Sequence, residues 1–159
     1  MKYTITQEQF DILQRRFIAV ILAKVIDERI EGLAKVFSCL PGVVPVWSCS
    51  GHPEGETDRM NDRGHIVLAI TEQGEKYIER LHDFIMGMEY SKDWEELCPG
   101  ISFCKLIWCF DDAGFEKLED GDAENYPVVR FEFHGSSEVK NHALQQKMFE
   151  SLAKHLTEL

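Results

Sequence analysis

The stretch of this sequence with the greatest chemical potential is Ser48-Cys49-Ser50-Gly51-His52-Pro53-Glu54. It follows a run of β-branched and aromatic residues, so its small polar side chains come where a strand is expected to end. Backbone N–H groups and two hydroxyls can donate there to an anion, and glycine allows a ligand to approach the backbone closely. His52 adds a donor that titrates near neutral pH. The pattern predicts a site for a phosphate, a carboxylate or the edge of a nucleotide.

Positive charge near this loop comes from Arg59 and Arg63, and His65 begins the next predicted strand. Arginine makes strong charge-assisted hydrogen bonds to oxygen anions. We therefore predict that the protein binds a small anionic or nucleotide-like ligand. The predicted ligand-binding residues are Ser48, Cys49, Ser50, Gly51, His52, Glu54, Arg59, Arg63 and His65. A capped turn, in which the serines satisfy local backbone groups, is the structural alternative.

Two other chemistries are open to the same residues. Cys49-x-x-His52, with His65 and Cys39, could supply four zinc ligands, but no second matched pair is present, so no metal is assigned. Cys49 could also be a nucleophile with His52 or His65 as its base, although the sequence indicates no third group to orient that base. Packing of a small thiol is the simpler interpretation, and no catalytic residue is assigned.

The order Ser-Cys-x-Gly-His-Pro at residues 48–53 resembles a motif of small uncharacterised phage and bacterial proteins. This resemblance implies a shared fold and a shared site but no particular activity. Ile30-x-x-Leu33 followed by Ser-Cys-Ser-Gly at 48–51 more distantly resembles the tRNA-wybutosine-synthesis methyltransferase family. That resemblance implies S-adenosylmethionine as cofactor and a modified tRNA guanosine as substrate. The family has arginine after the glycine, where this chain has His52.

The charge balance bears on the kind of partner. The chain has 28 acidic and 17 basic residues, a formal net charge of −11, and its basic residues cluster only in the pair Arg15-Arg16. Such a chain repels phosphate backbones, so binding to nucleic acid is not expected. The acidic segment 111–124 does not fit a calcium-binding loop. It is predicted to be a solvated loop, or else a contact surface for a basic protein, as in an acidic inhibitor of a basic host protein.

Cysteine usage indicates the compartment. The chain has five cysteines, an odd number, and its first residues lack a signal-peptide pattern, which predicts reduced thiols in a cytoplasm. This would be the host cytoplasm if the chain is phage-encoded. Cys98, Cys104 and Cys109 are expected to be reduced, with at least two of them mostly buried. The longest apolar run is too short to cross a bilayer, so no membrane partner is expected. The sequence is also compatible with a homo-oligomer.

The elements that must position these residues follow from periodicity. Thr6-x-x-Gln9 is a capping box that begins an amphipathic helix, which either continues past Asp27 or gives way there to a second helix capped by Asp27. Pro41-Gly42 ends this helical region. Strands are predicted at 43–49, 65–71, 101–110 and 128–134. A helix is predicted after each pair of strands: the first helix ends at residue 88, and the second spans 139–156.

This order predicts a single α+β domain covering residues 1–159. We expect an antiparallel sheet built from two ββα units, with an additional long N-terminal helix and with the helices mainly on one face. The two units, 43–89 and 101–157, are candidates for an internal duplication. The sequence contains no phosphate-binding loop, dinucleotide fingerprint or metalloprotease motif. It therefore does not decide whether the protein is an enzyme.

Overall fold

The computed structural model describes residues 3–49, 64–88, 101–109, 125–133, 150 and 152–158. The elements are helices α1 (Gln7–Leu22), α2 (Glu28–Cys39) and α3 (Glu72–Met88), and strands β1 (Val43–Cys49), β2 (Gly64–Ile70), β3 (Ile101–Cys109) and β4 (Asn125–Phe133). Residues 152–157 are also helical. The predicted α+β class with an antiparallel sheet is confirmed, and each predicted strand is present. Most of the predicted closing helix lies outside the described residues.

The N-terminal helical region is divided in two. Thr6 caps α1, the long N-terminal helix of 16 residues, and its hydroxyl accepts a hydrogen bond from the backbone N–H of Gln9. After α1, Lys24 has a φ of 52°, a left-handed conformation that cannot continue a helix. Asp27 then caps α2 by accepting from the backbone N–H of Arg29 at 3.1 Å. Of the two predicted alternatives, the break at Asp27 is therefore correct. None of the described helices is long and apolar enough to cross a membrane.

The four described strands form one antiparallel sheet in the order β1-β2-β4-β3. β1 pairs with β2, β3 pairs with β4, and β2 joins β4 at the centre. The two strand pairs therefore occupy equivalent positions on either side of the sheet's midline. This is the arrangement that two joined ββα units would give, and their origin by duplication remains a prediction.

One face of the sheet contributes the large apolar side chains of β2 and β4 to the hydrophobic core. Ile66 is the cross-strand partner of Phe131, and Leu68 of Val129, so these side chains share a face. Phe37 of α2 stacks on Phe131 with ring centroids 6.1 Å apart, which places α2 over this face. We call it the apolar face, and its residues on β2 and β4 that are no more than 1% exposed are Ile66, Leu68, Val129, Phe131 and Phe133.

Strand β1 contains a bulge that changes which of its side chains share a face. Pro45 pairs with Leu68 whereas Trp47 pairs with Val67, so Val46 is an extra residue in the strand. Proline has no N–H to donate to a strand ladder, which makes such an irregularity favourable here. Before the bulge, Pro45 lies on the apolar face. After it, Trp47 and Cys49 lie on the opposite face.

The opposite face combines apolar and polar side chains. Val67 and Ala69 of β2 are fully buried on it, but His65 of the same strand also belongs to it and is 2% exposed. Arg130 and Glu132 of β4 are the partners of Val67 and His65. We call this the mixed face, and its residues are Trp47, Cys49, His65, Val67, Ala69, Arg130 and Glu132.

A close backbone contact fixes the start of β1 against the start of α3. Gly42 has a φ of 75°, and a Cβ on it would collide with the Thr71 hydroxyl and lie 2.7 Å from the backbone nitrogen of Gly74. The backbone N–H of Thr71 donates to the carbonyl of Gly42 at 2.9 Å. Only glycine fits at position 42, because both its backbone conformation and the available space exclude a side chain.

Candidate functional site

A cavity of about 640 Å³ is lined by the later turns of α1, by the start of α2 and by β1. This volume lies within the range of small-molecule sites, which runs from about 300 to about 1,000 Å³. Much of its wall is apolar, with Leu13, Phe17 and Val20 of α1 facing Pro45 and Val46 of β1. The cavity is therefore large enough and apolar enough to hold a small organic molecule.

Two arginines and one carboxylate interrupt the apolar wall. Arg16 of α1 is half-buried, and Arg29 of α2 lies with its Nε 3.6 Å from a carboxylate oxygen of Asp27. Asp27 is also the residue that caps α2, so its position is fixed by the helix start. The Arg29 side chain is 36% exposed and can reach solvent or a ligand. The cavity thus combines an apolar wall with two cationic groups.

Three of the residues predicted to bind a ligand lie in the described part of the chain. Ser48 and Cys49 line the cavity, and both are half-buried. His65 is the cross-strand partner of Cys49 and is almost fully buried in β2. The other predicted site residues, which are Ser50, Gly51, His52, Glu54, Arg59 and Arg63, lie outside the described residues. So do Cys98 and the acidic segment 111–124.

Sequence reasoning missed Arg16, Asp27 and Arg29 as residues of this site. Arg16 stands directly before Phe17, a core residue of α1, and therefore at the border of the buried stripe of that helix. Together with Arg15 it forms the only basic pair of the chain, which was a usable signal. Arg29 carried no comparable signal, because only the break between α1 and α2 turns it toward β1.

A row of polar residues crosses three neighbouring strands on the mixed face. Cys49 of β1 is the cross-strand partner of His65 in β2, and His65 is in turn the partner of Glu132 in β4. Neighbouring strands lie about 4.8 Å apart, so Cys49 and Glu132 flank His65 on the same side of the sheet. Nη2 of Arg130 lies 3.5 Å from Oε2 of Glu132. We call Cys49, His65 and Glu132 the polar row.

The geometry of the polar row does not match a metal site. Among the described residues, no group of three or more His, Cys, Asp or Glu side chains is placed to hold a metal ion. The row is linear, so its two ends are separated by two strand spacings, about 10 Å. Cys39, a member of the candidate zinc set, is an exposed thiol at the end of α2, and neither Cys39 nor Cys49 forms a disulfide within the described part of the chain. His52 of that set lies outside the described residues.

No protein-family model matches this chain, and neither a curated protein nor a solved structure matches it. The resemblances to small phage and bacterial proteins and to the wybutosine methyltransferases therefore remain predictions. The cavity and the polar row are therefore the features of the molecule that bear on its function.

Proposed function

We propose that this protein binds a small organic anion, in which a carboxylate, phosphate or sulfonate is joined to an apolar or planar body. The cavity beside β1 carries this proposal, because it combines an apolar wall with Arg16, Arg29 and the hydroxyl of Ser48. Ligand sites are commonly apolar pockets in which a few polar groups fix the orientation of the ligand. This retains the predicted class of ligand and extends its site from the loop 48–54 to the helices that face β1.

Local cations are required for such a ligand. The chain has a formal net charge of −11, so an anion is repelled at long range and must be held by nearby positive groups. Arg16 and Arg29 supply these groups at the cavity. A hydrogen bond to a charged group contributes about 1.5–3 kcal/mol, which is enough for each arginine to matter measurably. The carboxylate of Asp27 pairs with Arg29 and limits this attraction.

Trp47 supports a ligand with a planar body. Its side chain lines the cavity and is 42% exposed, which is unusual for the largest apolar side chain. An exposed indole ring can stack on an aromatic ring or a nucleobase. A nucleotide-like anion therefore fits the cavity as well as an aromatic carboxylate does.

The proposal is tested by calorimetric titration with four probes: 8-anilinonaphthalene-1-sulfonate, adenosine monophosphate, S-adenosylmethionine and inorganic phosphate. Replacement of Arg16 or Arg29 by Gln is expected to weaken binding of the organic anions by about tenfold or more, since about 1.4 kcal/mol corresponds to one decade. Arg80→Gln is the matched control, because Arg80 is exposed on α3 and does not line the cavity.

Unchanged affinity in the Arg16→Gln, Arg29→Gln double variant would show that the organic anion does not bind in the cavity. Absence of binding by all four probes would overturn the proposal itself. Binding of S-adenosylmethionine alone would instead favour the methyltransferase resemblance. The predicted contribution of Arg59 and Arg63 is measured in the same way with their double Gln variant, for which we also expect a loss of about tenfold.

A further inference from the structure

We propose that Cys49 is a nucleophile at this cavity, with His65 as its base and Glu132 as the residue that positions the imidazole ring of His65. The reaction would be acyl transfer, in which the protein hydrolyses an ester of a small organic anion. The substrate class rests on the proposed function, whereas the reactivity of the thiol does not.

The polar row provides the order of groups that nucleophilic catalysis needs. A thiol is activated by an adjacent base, and the base is held in orientation by a third group. Three neighbouring strands of the sheet, β1, β2 and β4, carry Cys49, His65 and Glu132 in this order. Directly opposed residues of antiparallel strands have Cα atoms about 4.5–5.5 Å apart, so their side chains can contact each other.

The bulge in β1 is what places Cys49 beside His65. With strict alternation from Pro45, Cys49 would lie on the apolar face and point away from the histidine. The extra residue, Val46, moves Trp47 and Cys49 to the mixed face. Bulges are frequent next to active sites, where they redirect a side chain.

The cavity connects this row to a ligand. Cys49 is half-buried and forms part of the cavity wall, whereas His65 is 2% exposed and lies behind it in the sheet. The cavity wall and the polar row therefore meet at Cys49. The ion pair with Arg130 holds the Glu132 carboxylate on the mixed face, at the far side of His65.

The reaction balances without a redox partner. The Cys49 sulfur attacks the ester carbonyl carbon while its proton passes to His65. The S–C bond forms, the C–O bond to the alcohol breaks, and the imidazolium returns the proton to the departing oxygen. Water then attacks the thioester carbonyl carbon as His65 takes its proton; the new C–O bond forms, the C–S bond breaks, and the imidazolium returns the proton to the Cys49 sulfur as a carboxylic acid is released. The net reaction is ester plus water to acid plus alcohol.

Reactivity of Cys49 is measured by iodoacetamide labelling of the whole protein followed by peptide mass spectrometry. Cys39 is an internal reference, because it is a free and exposed thiol on α2. At about pH 6 an ordinary thiol is almost entirely protonated, whereas a thiol paired with histidine forms thiolate. We expect Cys49 to be labelled at least about tenfold faster than Cys39 although it is the less exposed of the two. Equal or slower labelling of Cys49 would overturn the proposal.

The positioning role of Glu132 is tested by its effect on the pH profile of this labelling. Glu132→Gln is expected to shift the profile of Cys49 to higher pH, and Glu132→Asp to restore part of the shift. The charged groups nearby are Arg130 on the mixed face and Arg16, Asp27 and Arg29 at the cavity, and all four are retained in both variants. An unchanged pH profile of Cys49 labelling in a folded Glu132→Gln variant would remove Glu132 from the proposal. An unchanged profile in a folded His65→Gln variant would likewise remove His65.

Acyl transfer is tested with 4-nitrophenyl acetate and 4-nitrophenyl hydrogen succinate, an uncharged and an anionic ester. We expect a stoichiometric burst of nitrophenolate that is lost in Cys49→Ala and retained in Cys39→Ala. The Arg16→Gln, Arg29→Gln double variant should lose the preference for the succinate over the acetate. A burst that persists in Cys49→Ala would overturn acyl transfer by Cys49.

The two proposals fail in different ways. Rapid labelling of Cys49 with no binding of any organic anion would overturn the proposed function and leave a reactive thiol. If an organic anion binds both the unaltered protein and Cys49→Ala, and Cys49 is labelled slowly, the proposal that Cys49 is a nucleophile is overturned. The proposed binding function would then stand.

Discussion

The two faces of the sheet are built from the same strands but contain different chemistry. On the apolar face, Ile66 and Phe131 pair directly and are covered by Phe37 of α2. On the mixed face, one residue away along each strand, His65 pairs with Glu132. The apolar face is therefore stabilised by burial and packing, whereas the mixed face contains ionisable groups whose burial carries a free-energy cost.

This difference indicates where function is located. A buried histidine between a thiol and a carboxylate does not contribute to a hydrophobic core, and apolar residues of similar size could replace such groups without loss of stability. Groups that cost stability and remain near a cavity are candidates for function rather than for folding. The comparison thus separates residues that should matter for stability from residues that should matter for chemistry.

The largest expected effect is on the apolar face. Phe131→Ala should lower the free energy of unfolding by about 3–5 kcal/mol, because it removes a fully buried ring that packs against Phe37. The neighbouring Glu132→Gln variant should cost far less, because Glu132 makes a partly exposed ion pair. Urea denaturation of both variants measures the difference. Similar losses of unfolding free energy in the two variants would show that residues of the mixed face contribute to stability as much as residues of the apolar face do.

Local signals were sufficient for most of the fold. The capping box at Thr6 and Gln9, the bounds of β1 and the alternation along β4 were all predicted, because each depends on residues close together in the chain. The break before Asp27 was left open because the apolar periodicity of α1 continues into α2 and only the cap distinguishes the two alternatives.

The candidate site was only partly predictable. Ser48 and Cys49 were found from composition, but Glu132 is far from His65 in the sequence and meets it only through the pairing of β2 with β4. The bulge hides this relationship further, because strict alternation puts Cys49 on the wrong face of β1. Long-range pairing and bulges depend on the whole sheet, so neither can be obtained from a local pattern.

An intermediate effect is expected where β1 begins. Gly42→Ala should lower the free energy of unfolding by about 2 kcal/mol or more, because a left-handed conformation costs a side chain about 1–2 kcal/mol and the new Cβ meets Thr71 and Gly74. Gly32→Ala is the matched control: it lies in α2 with nothing within 4 Å of an added Cβ. It should be neutral or stabilising by about 0.5–1 kcal/mol, since alanine favours helix.

The Gly42 variant also tests how the mixed face is assembled. If the contact between Gly42 and Gly74 fixes the register of β1, a folded Gly42→Ala protein should also show slower labelling of Cys49 by iodoacetamide. Thermal melts and labelling of the two glycine variants measure both consequences. A Gly42→Ala protein as stable as Gly32→Ala would contradict the tight contact at the start of β1.

The smallest effect on stability is expected at Asp27, which has both a structural and an electrostatic role. Its side chain caps α2 and lies 3.6 Å from Arg29 at the cavity. Asparagine caps a helix about as well as aspartate does, so Asp27→Asn should change the free energy of unfolding by less than about 0.5 kcal/mol. Alanine removes the cap and should cost about 1 kcal/mol.

The electrostatic role predicts a different pattern for binding, in which the two variants behave alike. Both Asp27→Asn and Asp27→Ala remove the negative charge beside Arg29, so both should bind 8-anilinonaphthalene-1-sulfonate more tightly than the unaltered protein, by a few-fold, since a nearby like charge opposes an anion. Urea denaturation and calorimetric titration separate the two roles, because only the alanine variant should lose stability while both should gain affinity. Weaker binding in Asp27→Asn would show that the carboxylate orients Arg29 toward the ligand instead of competing with it, and the cavity would then depend on the ion pair as a unit.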